Sequence, residues 1–169
     1  MSVAATYAPN RYHRVQMNTV SLNNAHTKAL VGASLKGYSL HCIIFRTATD
    51  FACGTGGFII SWLKALESQK KTVEDRAAFD TSVYGIEKKQ FPYMLCVTNL
   101  LLHDIDTPRV YHDNSLLKDV LDYTEDDQFD VLLMNPPYGG SEKTEVKNHF
   151  PSDLASSEPA DLFMSVIMY

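Results

Sequence analysis

One stretch of the chain decides the fold, and it reads Asp50-Phe51-Ala52-Cys53-Gly54-Thr55-Gly56-Gly57-Phe58. The residues before it, His41 to Thr49, are mostly apolar or β-branched, which predicts a buried strand. The residues after it repeat apolar side chains at helical spacing as far as Leu66, which predicts a helix with one buried face. The quoted stretch is therefore a glycine-rich turn that ends a strand and begins a helix.

The rest of the chain continues to alternate strands with helices. The further predictions are a polar connection (70–76), a strand (81–86), a helix (about 89–102), a short strand (109–112), a short helix or turn (116–121), an apolar strand (129–134), a polar loop (139–159) and an apolar helix (160–169). This alternation is typical of parallel βαβ units in an open α/β sheet, which binds ligands at the carboxyl ends of its strands. Residues 1–40 lack a sustained period, so we expect an irregular segment there, with a short helix over 25–31, and the domain core over 41–169.

Composition and charge restrict the class of protein. The chain has 169 residues, 45% hydrophobic and 21% charged, as in a single soluble globular domain. It has neither an apolar run of about 20 residues nor an N-terminal secretion signal, so we expect a cytoplasmic protein. Cys42, Cys53 and Cys96 lack metal-ligand spacing, so neither a disulfide framework nor a zinc site is expected.

The net charge of −5 differs from the basic excess of most DNA-binding domains. If the protein acts on DNA, another segment or subunit should supply most of the affinity.

The glycine-rich turn has the composition of a ligand-binding loop. Gly54, Gly56 and Gly57 allow positive φ angles and a close approach of a ligand to the backbone, and the helix start offers free N–H groups. The turn matches neither the dinucleotide pattern G-x-G-x-x-G nor a phosphate loop, and it has no lysine to bind a phosphate. It suits a ligand with an ammonium group, which Asp50 would bind, and a carboxylate, which backbone donors would bind. The alternative is a structural turn that merely needs glycines.

Three acidic residues further along the chain are candidates for the rest of such a ligand. Glu87 ends the second predicted strand, where its carboxylate can accept hydrogen bonds from both hydroxyls of a ribose. The alternative is a solvated glutamate at a helix start. Asp104 and Asp113 compete for a contact with the adenine amino group of a cofactor, and the alternative for Asp104 is an acid in a surface loop.

The tetrapeptide Asn135-Pro136-Pro137-Tyr138 is the strongest chemical signal in the sequence. Its prolines follow an apolar strand, fix the backbone and remove two N–H donors. The Pro136 carbonyl and the Asn135 side-chain oxygen then offer two acceptors to one amino group, and they favour the tetrahedral nitrogen that attacks a methyl sulfonium. Tyr138 offers a flat face for stacking, and an adenine of a duplex would have to flip out to reach it. A turn that only ends a strand does not need an asparagine before the prolines and an aromatic residue after them.

Together these residues resemble the methylation subunit of type I restriction-modification systems, a family of DNA adenine-N6 methyltransferases. The matching segments are 50–58, Tyr84-Gly85-Ile86-Glu87, Asn99-Leu100-Leu101-Leu102-His103, Asn135-Pro136-Pro137-Tyr138-Gly139-Gly140 and Ala160-Asp161-Leu162-Phe163-Met164. The resemblance implies a Rossmann-like S-adenosylmethionine-dependent methyltransferase fold with an open, mostly parallel sheet. It implies that Asn135, Pro136 and Tyr138 hold the target adenine, and Pro137 is the remaining candidate of that catalytic tetrapeptide. It implies that Asp50, Gly54 and Glu87 bind S-adenosyl-L-methionine. The further candidates for binding that cofactor are Ala52, Cys53, Thr55, Gly56, Gly57, Phe58 and Asp104. The implied partners are DNA, a specificity subunit that reads the DNA, and a restriction subunit.

The chain departs from that family in length. Family members carry a helical domain before the glycine turn, and they have a Phe-x-Thr-Pro-like segment of which Tyr7-Ala8-Pro9 is a distant echo. We therefore expect a sheet that is incomplete at the C-terminus and exposes an edge. We also expect the isolated chain to bind S-adenosylmethionine weakly and not to methylate DNA by itself. Two alternatives remain: an inactive cofactor-binding fragment, or an N-methyltransferase that acts on protein glutamine or RNA guanine, since the tetrapeptide also occurs in such enzymes.

Overall fold

The computed structural model describes residues 44–168 and, for their backbone, residues 3–6, which together contain a five-stranded sheet with helices. The strands are β1 (Val3–Thr6), β2 (Ala48–Asp50), β3 (Val83–Glu87), β4 (Val110–His112) and β5 (Val131–Met134), in the spatial order β1-β5-β2-β3-β4. The helices are α1 (Gly57–Leu66), α2 (Val73–Thr81), α3 (Gln90–Leu101), α4 (Thr144–Lys147) and α5 (Pro159–Met168). Strands β5, β2, β3 and β4 are parallel, which confirms the prediction of a mostly parallel α/β sheet.

Two hydrophobic cores cover the two faces of the sheet. On one face, α1, α2 and α3 pack through residues such as Trp62, Phe79 and Leu100, each at most 2% exposed. On the other face, α4, α5 and the short turns before β5 pack through residues such as Val146 and Leu162. A parallel sheet needs this cover on both sides, and the near-continuous apolar character of β5 follows from it.

The order of the strands reverses next to β2. The chain steps from β2 to β3 and on to β4 in one direction, then returns so that β5 pairs with the other side of β2. Open α/β sheets bind ligands in the crevice at such a reversal, outside the carboxyl ends of the strands. The glycine-rich turn follows β2 and the Asn-Pro-Pro-Tyr tetrapeptide follows β5, so the two motifs flank this crevice.

Several element boundaries differ from the predictions. The strand predicted over 41–49 begins only at Ala48, because Ile44 and Phe45 form a turn and residues 41–43 lie outside the described residues. The polar connection predicted over 70–76 is confirmed for 70–72, but residues 73–76 begin helix α2, whose first turn is closed by a capping box between Thr72 and Asp75. The loop predicted over 139–159 contains the short helix α4.

The edge of the sheet beside β5 is covered by β1. Val3–Thr6 pairs antiparallel with β5, from Val3 opposite Met134 to Thr6 opposite Val131. The prediction of an irregular segment is therefore wrong for these four residues, and the expectation of an exposed edge is wrong for the β5 side. The helix predicted over 25–31 lies outside the described residues. None of the helices in the described residues is long and apolar enough to cross a membrane.

Candidate active site

Glycine is required at two positions of the turn because their backbone angles are positive. Gly54 has a φ of 55° and Gly56 a φ of 85°, in the left-handed region that other residues seldom adopt. A Cβ atom at Gly56 would also lie 2.6 Å from Cys96 Sγ, so a side chain there has no room. Gly56 is the N-cap of α1, and its conformation sets the direction in which the helix begins.

The turn presents some of its residues to solvent and buries others. Cys53, Gly56 and Phe58 are buried, and Cys53 and Phe58 belong to the core beneath the turn. Thr55 and Gly57 are exposed, whereas Ala52 and Gly54 are half-buried. The buried members therefore shape the turn from below, and the exposed backbone is the part that a ligand can reach.

Glu87 ties the turn to the end of β3. Its Oε2 accepts a hydrogen bond from the Gly54 N–H at 2.9 Å, and its Oε1 accepts one from the Lys89 N–H at 2.8 Å. The Cys53 N–H donates to the Ile86 carbonyl at 3.0 Å, so the backbone of β3 holds the same turn. Glu87 is 8% exposed, and its placement beside Gly54 brings the predicted ribose acceptor to the glycine-rich turn.

Two further side chains hold the turn, and neither contact was predicted from the sequence, although Asn99 belongs to one of the segments that carry the family resemblance. Asn99 of α3 donates from Nδ2 to the Thr55 carbonyl at 3.1 Å. Ser115, which is buried, donates from Oγ to the Phe51 carbonyl at 2.6 Å. An asparagine within the apolar segment 93–102 was an available signal for the first contact. The second joins residues 64 positions apart, and no local pattern indicates it.

Asp50 is a carboxyl group buried at the end of β2. It is 2% exposed, and its Oδ1 accepts a hydrogen bond from the Ala52 N–H at 3.1 Å. Burial raises the pKa of Asp50 to about 8, the Ala52 N–H lowers it, and the negative charge of Glu87 raises it further. A cation placed beside this carboxyl would restore its ionised form, which is what the predicted contact with an ammonium group requires.

Cys53 and Cys96 lie in contact beneath the turn as free thiols. Their Sγ atoms are 3.9 Å apart, and both residues are buried. The hydrogen bond to Cys96 and burial both raise the pKa of the Cys53 thiol, so it stays protonated and acts as a small packing group. The described residues contain no cluster of three or more histidine, cysteine or acidic side chains suited to a metal ion.

The tetrapeptide lies at the carboxyl end of β5, and its last two residues are more exposed than its first two. Asn135 is half-buried and Pro136 is buried, while Pro137 and Tyr138 are exposed. Tyr138 keeps half of its surface accessible, and partial burial raises the pKa of its phenol, so the ring stays neutral at physiological pH. The loop after it is fastened where the Gly139 N–H donates to Glu158 Oε1 at 3.0 Å.

An ion pair joins this loop to the end of β3. Lys88 Nζ lies 2.8 Å from Glu142 Oε1 and 3.0 Å from Oε2, so the ammonium group contacts both oxygens. The Glu142 side chain is 12% exposed, and the Lys88 side chain is 52% exposed. Lys88 directly follows Glu87, and Glu142 comes four residues after Tyr138, so the ion pair links the two halves of the candidate site.

The two competing aspartates, Asp104 and Asp113, lie at opposite ends of the parallel strands. Helix α3 has 12 residues, or about 18 Å, and carries the chain back from the carboxyl end of β3. Asp104 follows that helix, exposed and with a φ of 61°, so it lies away from Glu87 and ends the helix. Asp113 follows β4, and its N–H donates to the Glu87 carbonyl at 3.2 Å. The structure thus brings Asp113, and not Asp104, to the other predicted residues.

The described residues fit S-adenosylmethionine as a ligand. A Cβ atom built on Gly54 or Gly57 would meet nothing within 4 Å, so the turn offers open space over its backbone. The Glu87 carboxylate accepts from the Gly54 N–H, and Asp50 ends the strand that leads into the turn, so two carboxyl groups are available for one ammonium group and a pair of hydroxyls. The fit rests on this combination of open backbone and two buried acids.

The chain is similar in sequence and in structure to known DNA methylases. A family model described as N-6 DNA Methylase matches residues 45–169. The methylase subunit of the type I restriction enzyme EcoEI from Escherichia coli is 42% identical over 121 residues, which are 70% of this chain and 24% of that protein. A solved modification subunit assigned to a type I restriction enzyme of Vibrio vulnificus YJ016 has a TM-score of 0.68 and 32% identity, over 91% of this chain and 36% of that chain.

A second solved structure, concerned with complex assembly and conformational transition of the type I R-M system, has a TM-score of 0.67 and 26% identity. It covers 86% of this chain and 33% of that chain. These similarities confirm the predicted Rossmann-like methyltransferase fold. This chain spans only about a quarter of the Escherichia coli relative and about a third of each solved chain.

Proposed function

Because the chain belongs to the N-6 DNA methylase family, we propose that it forms the catalytic core of a DNA adenine-N6 methyltransferase. The whole enzyme would be the modification subunit of a type I restriction-modification system. The observation that carries the proposal is the arrangement at the reversal of strand order. Asp50 and Glu87 lie at the ends of β2 and β3, and the Asn135–Tyr138 tetrapeptide follows β5, on the other side of β2.

In this proposal the residues at the ends of β2, β3 and β4 hold S-adenosylmethionine. Asp50 binds its ammonium group, the open backbone around Gly54 faces its carboxylate, and Glu87 accepts hydrogen bonds from the ribose hydroxyls. Asp113, rather than Asp104, contacts the adenine amino group of the cofactor. When bound, S-adenosylmethionine supplies an electrophilic methyl group on a positively charged sulfur.

The tetrapeptide orients the target amino group. The Asn135 side-chain oxygen and the Pro136 carbonyl accept hydrogen bonds from its two N–H groups. This arrangement turns the nitrogen lone pair toward the crevice. These two hydrogen bonds strengthen as positive charge develops on the nitrogen, so they stabilise the transition state more than the ground state. Tyr138, half-exposed and neutral, stacks on the flipped base.

Adenine in DNA is preferred over protein glutamine or RNA guanine as the substrate. The supporting observations are the family description, whose matched residues 45–169 hold the turn and the tetrapeptide, and the similarity to the methylase subunit of a type I restriction enzyme. The net charge of −5 does not oppose this, because a separate specificity subunit would supply the phosphate contacts. DNA, that specificity subunit and a restriction subunit are therefore the proposed partners.

Transfer of a labelled methyl group tests the proposal. We would incubate the chain and S-adenosylmethionine with adenine-containing DNA, guanine-containing RNA or a glutamine-containing protein, each with and without the specificity subunit. The expected result is label at adenine N6, dependent on the specificity subunit and absent from the Asn135→Ala variant. Label in RNA or protein would overturn the choice of substrate, and no transfer with the subunit present would overturn the proposed activity.

A further inference from the structure

Helix α3 supports the middle of the glycine-rich turn through Asn99. The Asn99 Nδ2 group donates a hydrogen bond to the Thr55 carbonyl at 3.1 Å. Cys96, three residues earlier on the same side of α3, lies against Gly56, where a Cβ atom would be 2.6 Å from the Cys96 Sγ atom. One side of α3 therefore contacts two consecutive residues of the turn, one by a hydrogen bond and the other by close packing.

The hydrogen bond from Asn99 fixes the peptide group that joins Thr55 to Gly56. The N–H of this group donates to the Cys53 carbonyl at 2.8 Å, and its carbonyl accepts from Asn99. Gly54 and Gly56 lie on either side of Thr55, and glycine restricts the backbone least of all residues. Hydrogen bonds therefore set the orientation of this peptide group, and without Asn99 it would be held at its N–H end alone.

Two unpaired backbone donors flank this fixed peptide group. The N–H groups of Thr55 and Gly57 donate to no atom of residues 44–168. Both residues are exposed, and a Cβ atom at Gly57 would meet nothing within 4 Å. The N-cap residue of α1, Gly56, has no side chain to cap the helix. Free donors at a helix start favour a negatively charged ligand, so the turn offers two N–H groups to a carboxylate.

We infer that Asn99 is a positioning residue for the carboxylate of S-adenosylmethionine, because its bond to the Thr55 carbonyl orients the Thr55 and Gly57 N–H groups toward one anion. The inference rests on the proposed function and specifies which donors of the turn bind the carboxylate. The Gly54 N–H is not one of them, because it already donates to Glu87. Asn99 acts through the peptide group that it holds and not by touching the ligand.

Calorimetric binding of two ligands to the 169-residue chain tests the inference. S-adenosylmethionine carries the carboxylate, and decarboxylated S-adenosylmethionine lacks only that group. The unaltered chain should bind the first ligand about tenfold or more tightly than the second, because hydrogen bonds to a charged group are lost with the carboxylate. This ratio of affinities is the carboxylate preference of the chain.

Asn99→Leu has a side chain of similar shape without the N–H donor, so it should lower the carboxylate preference. Its affinity for S-adenosylmethionine should fall by about tenfold, while its affinity for the decarboxylated ligand should change by less than about twofold. A merely structural role for Asn99 would weaken both ligands alike. Asn99→Ala should show the same selective loss, and alanine is the residue that α3 accepts most readily. Circular dichroism would verify the fold of each variant.

The matched control is Thr98→Val, on the same turn of α3. Thr98 is exposed, and its hydroxyl donates to the Met94 carbonyl of the same helix at 2.8 Å. Valine has the shape of threonine and removes one polar group, as Asn99→Leu does. Both affinities should stay unchanged in this variant, because the hydroxyl hydrogen-bonds within α3 and not to the turn.

Equal binding of both ligands by the unaltered chain would overturn the inference and leave the proposed cofactor site standing. An unchanged carboxylate preference in Asn99→Leu and Asn99→Ala, equal weakening of both ligands, or loss of the fold in both variants would also overturn it. A chain that binds neither ligand would contradict the proposed function, and the inference with it.

Discussion

Replacing Asp50 by asparagine should stabilise the fold while it weakens cofactor binding. The carboxyl is 2% exposed, and its pKa is raised from 3.8 to about 8, chiefly by burial. Asparagine has nearly the same shape and keeps an oxygen that can accept the hydrogen bond from the Ala52 N–H. It removes the negative charge that the fold must bury at high pH, and it replaces the second carboxyl oxygen by an NH₂ group.

The size and pH dependence of the effect follow from the pKa of Asp50. One pKa unit corresponds to about 1.4 kcal/mol, so ionised Asp50 costs the folded state on the order of 5 kcal/mol. Because the pKa is higher in the folded than in the unfolded chain, the folded state holds the proton more tightly. Stability of the unaltered chain should therefore fall as pH rises from about 4 to about 8, by at most about 1.4 kcal/mol per pH unit, and then level off.

Urea denaturation followed by circular dichroism, repeated across that pH range, measures the effect. The free energy of unfolding of Asp50→Asn should exceed that of the unaltered chain by an amount that grows with pH up to about 8. Asp80→Asn makes the same chemical change at an exposed position and should show no such gap. The affinity for S-adenosylmethionine should fall about tenfold or more, because a hydrogen bond between charged groups is lost. A destabilised Asp50→Asn variant, or a gap that does not change with pH, would refute the reasoning.

Three further predictions concern the turn, the ion pair and the tetrapeptide. Gly56→Ala should lower the free energy of unfolding by about 2 kcal/mol or more. Adding Cys96→Ala to that variant should restore part of the lost free energy, because it removes the sulfur that lies 2.6 Å from the new Cβ atom. Urea denaturation that shows no such recovery would contradict the steric explanation. Lys88→Met and Glu142→Gln should each speed protease cleavage of the loop that carries Glu142, because each removes one partner of the ion pair. The interaction energy between the two changes, obtained from the double variant, should be about 1 kcal/mol or less. Unchanged cleavage in both variants would show that the ion pair does not hold the loop. Asn135→Ala should reduce the methyl-transfer rate by about a hundredfold or more while calorimetry shows nearly unchanged affinity for S-adenosylmethionine, and an equal loss of affinity would place Asn135 in the cofactor site instead.

The chemistry-bearing turns were predictable because each depends on local sequence. Glycines between an apolar strand and an amphipathic helix predicted the first turn, and the structure has it between Asp50 and Gly57. The proline pair after an apolar strand predicted the end of β5 at Met134. In both cases neighbouring residues in the sequence determine the conformation, so the positions came out within about two residues.

The features that were missed depend on contacts between distant residues or on weak patterns. Helix α2 is polar, and its capping box uses Asp75 where the usual signature has glutamate or glutamine. Strand β1 gains its extended form from pairing with β5, which nothing in its four residues indicates. The choice between Asp104 and Asp113 required the path of α3 across the sheet, because both follow an element and both are followed by polar residues.

Binding of S-adenosylmethionine to this chain, measured by calorimetry with Glu87→Gln beside it, tests the central claim most directly. The carboxylate of Glu87 accepts hydrogen bonds from the Gly54 and Lys89 N–H groups. In Glu87→Gln the amide NH₂ group would face one of these N–H donors and could not accept its hydrogen bond. We predict saturable binding of one molecule per chain, weakened by about tenfold or more in Glu87→Gln and unchanged in Tyr138→Ala, which alters the proposed target-base side only. Absence of saturable binding, or equal affinity in Glu87→Gln, would contradict the assignment of this edge of the sheet as the cofactor site.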